Sequence, residues 1–203
     1  MKIKVAVIYY SATGTNYEMA KRAKKAAEDA GDHEVKLLKF KETAPQEAIN
    51  SRDDWKEHVE ATKDIPEVSL DDLEWADAII FSIPTRYGNL PSQVQSFIDM
   101  TGGLWFNGKL ANKVVSGMTS AQNPHGGQET TLMSLYKTMI HWGAILAPPG
   151  YTDEVVFESG GNPYGVSVKG GKENVNEAIR TSITHQTNRT IQVAQWVKAG
   201  LAS

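Results

Sequence analysis

A chain of 203 residues, 40% of them hydrophobic, suffices for one α/β domain with a full core but would be cramped as two equal ones. A formal net charge of −3, from 21 Lys and Arg against 24 Asp and Glu with the signs interspersed, argues against a nucleic-acid groove or an anionic membrane surface as partner. The absence of Cys removes disulfides, thiolate metal sites and thiol catalysis, and no apolar run approaches the roughly 18 residues of a membrane span.

Met1, Lys2, Ile3 and Lys4 lead straight into Val5, Ala6, Val7, Ile8, Tyr9 and Tyr10, an apolar run that predicts a central strand covered on both faces. An opening of this kind leaves no room for a signal peptide, so a cytoplasmic protein is expected. The strand runs into Ser11, Ala12, Thr13, Gly14, Thr15 and Asn16, then into an Ala-rich helix over 17–30 stopped by Gly31. A hydroxyl-rich turn at a helix N-terminus reads either as an anion cradle of free N–H groups and O–H donors or as a plain capped helix. Of the dinucleotide fingerprint only Gly14 is present, the P-loop lysine is missing, and neither a phosphatase cysteine nor an acidic phosphoacceptor ends the strand. What remains is a cradle of hydroxyls and amides without a basic residue.

Residues 34–40 alternate and predict a second, half-exposed strand near a sheet edge. Residues 45–62 predict one helix with a thin apolar face (Ile49, Trp55, Val59) lying loosely on the surface. Ala78, Ile79, Ile80, Phe81, Ser82 and Ile83 predict a third, central strand, ending at Pro84, Thr85, Arg86, Tyr87, Gly88 and Asn89 before a helix that carries Val94, Phe97 and Ile98. A fourth strand over 113–118 ends in Thr119, Ser120, Ala121, Gln122, Asn123, Pro124, His125, Gly126 and Gly127. The next helix turns Leu132, Leu135, Met139 and Ile140 to the core and stops near His141, and a short fifth strand follows at 144–147. Residues 151–173 hold five glycines and no periodicity, as functional or partner-covered loops do. A final helix over 174–199 has a thin stripe of Ile179, Ile183, Ile191 and Ala194 broken by Thr187, which predicts only moderate packing.

Strictly alternating strands and helices predict a doubly wound α/β fold with a parallel sheet and helices on both faces, as a single domain elaborated at 41–70 and 150–173. Ligands of such sheets bind beyond the carboxyl ends of the strands. Three polar, Gly-containing loops leave those ends, at 11–16, 84–89 and 119–127, and their convergence is a sharper signal than any one of them.

The spacing S-x-T-G-x-[TN] at 11–16 resembles the phosphate loop of flavodoxin-like proteins. Thr85, Arg86, Tyr87, Gly88 and Asn89, then Thr101, Gly102, Gly103, Leu104 and Trp105, then Gly126, Gly127, Gln128, Glu129 and Thr130, and late in the chain Gly160, Gly161, Asn162, Pro163, Tyr164 and Gly165 resemble the WrbA family in order over essentially the whole chain. Those proteins are flavodoxin-like, FMN-dependent NAD(P)H:quinone oxidoreductases. The resemblance implies a five-stranded parallel sheet of order 2-1-3-4-5, with FMN as cofactor, NADH or NADPH as donor and a quinone as acceptor. It places the FMN phosphate on Ser11, Ala12, Thr13, Gly14, Thr15 and Asn16. The isoalloxazine would lie against Pro84, Thr85, Arg86, Tyr87 and Gly88 and against Thr119, Ser120, Ala121, Gln122 and Gly126, with His141 also in contact. Trp105, with Thr13, would line the substrate pocket over the ring, completed by a neighbouring subunit of a homotetramer.

Two departures from the family pattern bear on the substrate side: Thr13 stands where Tyr is usual, and Gln122, Asn123, Pro124 and His125 make the third loop bulkier. Flavin chemistry needs neither nucleophile nor metal, so no further catalytic residue and no metal ligand is expected. Arg86 also reads as a solvated loop charge, His141 as a helix-terminal imidazole and Trp105 as a core or interface aromatic. A one-electron carrier of flavodoxin type and a non-enzymatic binding module are the competing functions.

Overall fold

A computed structural model describes residues 1–202. The parallel sheet contains β1 (Lys4–Tyr9), β2 (Glu34–Lys39), β3 (Ala78–Pro84), β4 (Val114–Ala121), β5 (Ile145–Leu146) and β6 (Ser167–Lys169). Every residue of β3 and β4 is buried, because a strand covered on both faces has no use for alternation. The order β2-β1-β3-β4-β5 is the expected one, with all pairings parallel.

The helices are α1 (Thr15–Asp29), α2 (Gln46–Asn50), α3 (Asp53–Ala61), α4 (Leu70–Trp75), α5 (Ser92–Asp99), α6 (Gly102–Phe106), α7 (Gln128–His141), α8 (Val155–Glu158) and α9 (Glu177–Leu201). On one face α1 and α9 cover Val5, Val7 and Ile80 with Met19, Ala23, Ile183 and Ile191. On the other, α4, α5 and α7 cover Ile8, Ile79 and Phe81 with Leu73, Val94, Leu132 and Leu135.

The edge position beside β4 departs from expectation. β5 pairs with Val114 and Val115, and β6 pairs with Thr119, Ser120 and Ala121, so two short segments share one edge with residues 147–166 inserted between them. Within 151–173, read from the sequence as aperiodic, α8 and β6 are therefore ordered elements. β4 itself runs on to Ala121, so Thr119, Ser120 and Ala121 are strand rather than loop: they gain β6 as a partner that sequence reading did not supply. Ile140, expected in the core, is 60% exposed, one position beyond the buried stripe that ends at Met139.

The final helix packs tightly rather than moderately. Gln186, Thr187 and Thr190 are fully buried within its stripe. The Thr190 hydroxyl lies 2.8 Å from that of Ser116, while Gln186 Nε2 donates to the Gly117 carbonyl at 2.8 Å and its Oε1 accepts from Val166 N–H at 2.8 Å. Buried polar groups thus take the place of an apolar stripe, with Gln186 and Thr190 hydrogen-bonded and the Thr187 hydroxyl left without a partner among the described residues.

Residues 45–62 form two helices, broken at Ser51 and Arg52, and α4 adds a third, opened by a capping box between Ser69 and Asp72. The thin face of α3 is completed by His58, which is 5% exposed and packs its ring 5.5 Å from that of Tyr17. Burial, then the charges of Lys172 and Lys39, holds the imidazole at a pKa of about 4. The unfolded chain accepts this proton near pH 6.5 and the folded chain resists it, so stability is full above that pH and falls towards pH 4 by up to about 3 kcal/mol. Urea midpoints across that range should lose this slope in His58→Gln; an unchanged slope would assign it to other groups.

Candidate functional site

The N-terminus of α1 lies at the carboxyl edge of the sheet, where the strand order reverses between β2-β1 and β3-β4. Its N-cap is Gly14 at φ 96°, with no side-chain cap. Ser11 Oγ accepts from Gly14 N–H at 2.9 Å, which curls the loop. The next amides, those of Thr15, Asn16 and Tyr17, have no acceptor within the helix. The plain capped-helix reading therefore does not hold, and the loop is a cradle of outward donors at the positive end of a helix dipole. Ala12 and Thr13 are half-buried on its rim.

Asn16 has a different duty from its neighbours. It is 1% exposed; its Nδ2 reaches Ser82 Oγ at 3.3 Å, its Oδ1 accepts from Ser120 Oγ at 2.6 Å, and its carbonyl accepts from Ser82 Oγ at 2.8 Å. One side chain thus ties the start of α1 to β3 and β4.

The second and third loops are joined in the same way. Thr85 N–H donates to the Ser120 carbonyl at 2.8 Å, the hydroxyls of Thr85 and Thr131 lie 2.6 Å apart, and Gly88 N–H donates to Thr85 Oγ1 at 3.1 Å. Gly127, at φ 87°, approaches so closely that a Cβ there would stand 2.7 Å from Gly88 Cα. Pro84, Ser120 and Ala121 are buried beneath these loops, Gly126 is half-buried and Gln122 is exposed. Thr119 is fully buried, with no partner for its hydroxyl among the described residues. Arg86 is exposed, donates to the Thr85 carbonyl at 3.0 Å and acts on the Tyr10 hydroxyl. Tyr87 sits at φ 52° with its side chain 100% exposed, a left-handed conformation that costs an aromatic residue about 1 kcal/mol or more.

Sequence reading missed Glu42. Its carboxylate accepts from Tyr10 OH and Trp55 Nε1 at 3.1 Å each, from Gln93 Nε2 at 2.8 Å, and from the Thr43 and Ala44 amides at 2.9 Å each. It pins the 41–70 elaboration to the ends of β1 and α5. Burial, then the Glu42 charge, raises the Tyr10 hydroxyl above its ordinary pKa. No local pattern marks Glu42, since its partners are spread from Tyr10 to Gln93 along the chain.

The structure ties the 84–89 loop to the end of β4 and the start of α7, and ties Asn16 to β3 and β4; His141 and Trp105 lie in a different place. His141 ends α7, 14 residues and about 20 Å from the Gly127 end, and the adjoining Gly143 carbonyl accepts from Asn112 N–H just before β4 begins. Trp105 lies in α6 close to the same amino edge, where Lys109 pairs with Glu74 at 2.7 Å. Both line a groove of about 590 Å³ with Leu90, Ile98, Lys137 and Trp142. This groove lies mainly between helices and meets the three loops only at Asn89; backbone donors and close-packed glycines mark the chemical edge. Among the described residues no group of three His, Asp or Glu side chains is placed to hold a metal, and no helix is long and apolar enough to cross a membrane.

Residues 3–153 match the family described as NADPH-dependent FMN reductase. An NAD(P)H dehydrogenase (quinone) of Deinococcus radiodurans is 57% identical over 191 residues, which cover 94% of this chain and 95% of that protein. A protein of the same name from Aromatoleum aromaticum is 36% identical over 188 residues, 89% of each chain. Among solved structures, a WrbA-like flavodoxin from Agrobacterium tumefaciens matches with a TM-score of 0.65 at 20% identity, over 95% of this chain and 98% of that one. The two-electron reduced flavodoxin of Megasphaera elsdenii matches at 0.53 and 18% identity, over 91% and 98%. At such identities the structural likenesses establish the flavodoxin-like fold.

Proposed function

The chain belongs to the NADPH-dependent FMN reductase family, and from that premise we propose that it is an FMN-dependent oxidoreductase passing hydride from NAD(P)H to quinones. One observation carries the reading: an uncapped helix N-terminus and two further backbone-rich loops are locked together at the carboxyl edge. The donor set fits a phosphate monoester, since residues 11–15 offer hydroxyls and outward amides, and side-chain-free Gly14 keeps the cradle open. Loops 84–88 and 119–126, held against each other by glycine contacts, fit the edge of a flat ring.

Bound FMN would supply hydride transfer at N5, from nicotinamide and then to quinone at one stacking face, which gives ping-pong kinetics. The chain's own residues bind and orient. Ser11, Ala12, Thr13, Gly14 and Thr15 hold the phosphate, while Asn16 braces the cradle from behind. Arg86 and the amides of the crevice meet negative charge at the N1–C2 edge of the ring. Tyr87, held in a strained conformation with its ring in solvent, gains its partner by stacking.

Trp105 and His141, in a groove between helices, serve the crevice of a neighbouring copy in a homotetramer. Exposed Met100, Phe106 and Ile140 surround them, as an assembly surface would require.

Initial rates of FMN-loaded protein, with NADH or NADPH varied at several benzoquinone concentrations, test the reading. Parallel double-reciprocal lines are expected, and intersecting lines would reject the ping-pong scheme. Failure to oxidise either nicotinamide with FMN bound would favour a one-electron carrier.

A further inference from the structure

The N-terminus of α1 is the positive pole of a 15-residue helix, and a solvent-exposed cation set beside it gains a partner when an anion lies between them. Lys172 is such a cation. A Cβ built on Gly14 would overlap the Lys172 side chain and stand 3.1 Å from its Nζ. The ammonium makes no hydrogen bond or ion pair with the described residues, and nearby carboxylates are engaged elsewhere: Glu18 pairs with Lys21 at 2.8 Å, and Glu173 folds back over Gly171.

The approach is built into the fold. β6 is zipped to Thr119, Ser120 and Ala121 at the end of β4, and the next residue, Gly170, donates to the Ala121 carbonyl at 2.6 Å. Gly171 N–H then donates to Thr15 Oγ1, the first residue of α1, at 2.9 Å, and Asn174 Nδ2 ties the Gly170 carbonyl at 2.9 Å. Lys172 follows at once, fixed to both sides of the crevice by its predecessors. Gly14 has no side chain to exclude it.

We propose that Lys172 is the basic residue of the phosphate cradle, delivered from the far end of the chain to pair with the phosphate monoester of FMN. This rests on the reading of the cradle given above. Residues 11–16 carry no charge of their own, so a dianion placed there meets only dipoles until an ammonium closes over it. The late glycine-rich segment thereby acquires a role: it splits the edge strand and returns a cation to the first loop.

Flavin fluorescence titrations of the full chain separate the possibilities, using FMN and riboflavin, which lacks the phosphate. Lys172→Met should weaken FMN binding roughly tenfold to a hundredfold and leave riboflavin binding unchanged. It should also flatten the dependence of FMN affinity on sodium chloride, and Lys172→Arg should restore most of the loss. Unchanged FMN affinity in Lys172→Met, or equal losses for FMN and riboflavin, would overturn the assignment while leaving the FMN reading intact. Failure of the unsubstituted chain to bind FMN would overturn both.

Discussion

Gly127→Ala should lower stability by about 2–4 kcal/mol and weaken FMN binding by about a hundredfold. Two costs add at this position. A left-handed φ of 87° is unfavourable for any residue with a Cβ, and that Cβ would stand 2.7 Å from Gly88 Cα and 3.1 Å from Gly88 N. Backbone on both sides gives way only if the 84–89 and 119–127 loops part, and that separation is the width of the proposed ring slot. Gly108→Ala is the matched control: φ there is 68°, and nothing lies within 4 Å of the added atom. It should cost about 1 kcal/mol and leave FMN affinity alone. Chemical denaturation and flavin titration of both variants decide the matter, and equal FMN affinity in the two would remove the slot from the 88–127 contact.

Gln186→Leu should be the most destabilising single change in α9, by about 2–4 kcal/mol. The volume is nearly kept, but Val166 N–H and the Gly117 carbonyl lose a fully buried partner with which each makes a 2.8 Å bond. Those bonds hold the returning segment on β4 just before β6, so the variant should also loosen the 167–172 segment. Urea unfolding gives the first effect and amide exchange at Val166, Val168 and Gly171 the second. A loss below about 0.5 kcal/mol, within the range of neutral surface changes, would show that the glutamine merely fills space.

The central sheet was open to sequence reading because β1, β3 and β4 carry uninterrupted apolar runs, and in a chain that alternates strands with helices a short run of that kind fits a strand covered on both faces. The loops at their carboxyl ends were equally legible from their hydroxyls and glycines. The edge was not: β5 has two residues and β6 three, too short for any period, and the 147–166 insertion hides that they share one strand position. The α9 stripe misled because Thr187 read as a polar break and Gln186 and Thr190 gave no apolar signal, whereas all three are fully buried. Asn16 was legible as a site residue but not as a brace, since its partners Ser82 and Ser120 lie 66 and 104 residues away. Trp105 and His141 were placed near the ring by resemblance alone; in this chain they line one groove between α5, α6 and α7. Lys172 was invisible for the same reason as Glu42: a single charge means nothing until the chain's return path is known.

The most direct test of the account is an anaerobic half-reaction. Protein loaded with one equivalent of FMN is mixed with one equivalent of NADH or NADPH and the visible flavin band is followed, after which one equivalent of benzoquinone is added. The account predicts complete bleaching by at least one of the two nicotinamides without a persistent one-electron species, and complete recovery on quinone addition. A chain that binds FMN yet leaves the band unbleached by both nicotinamides would contradict it.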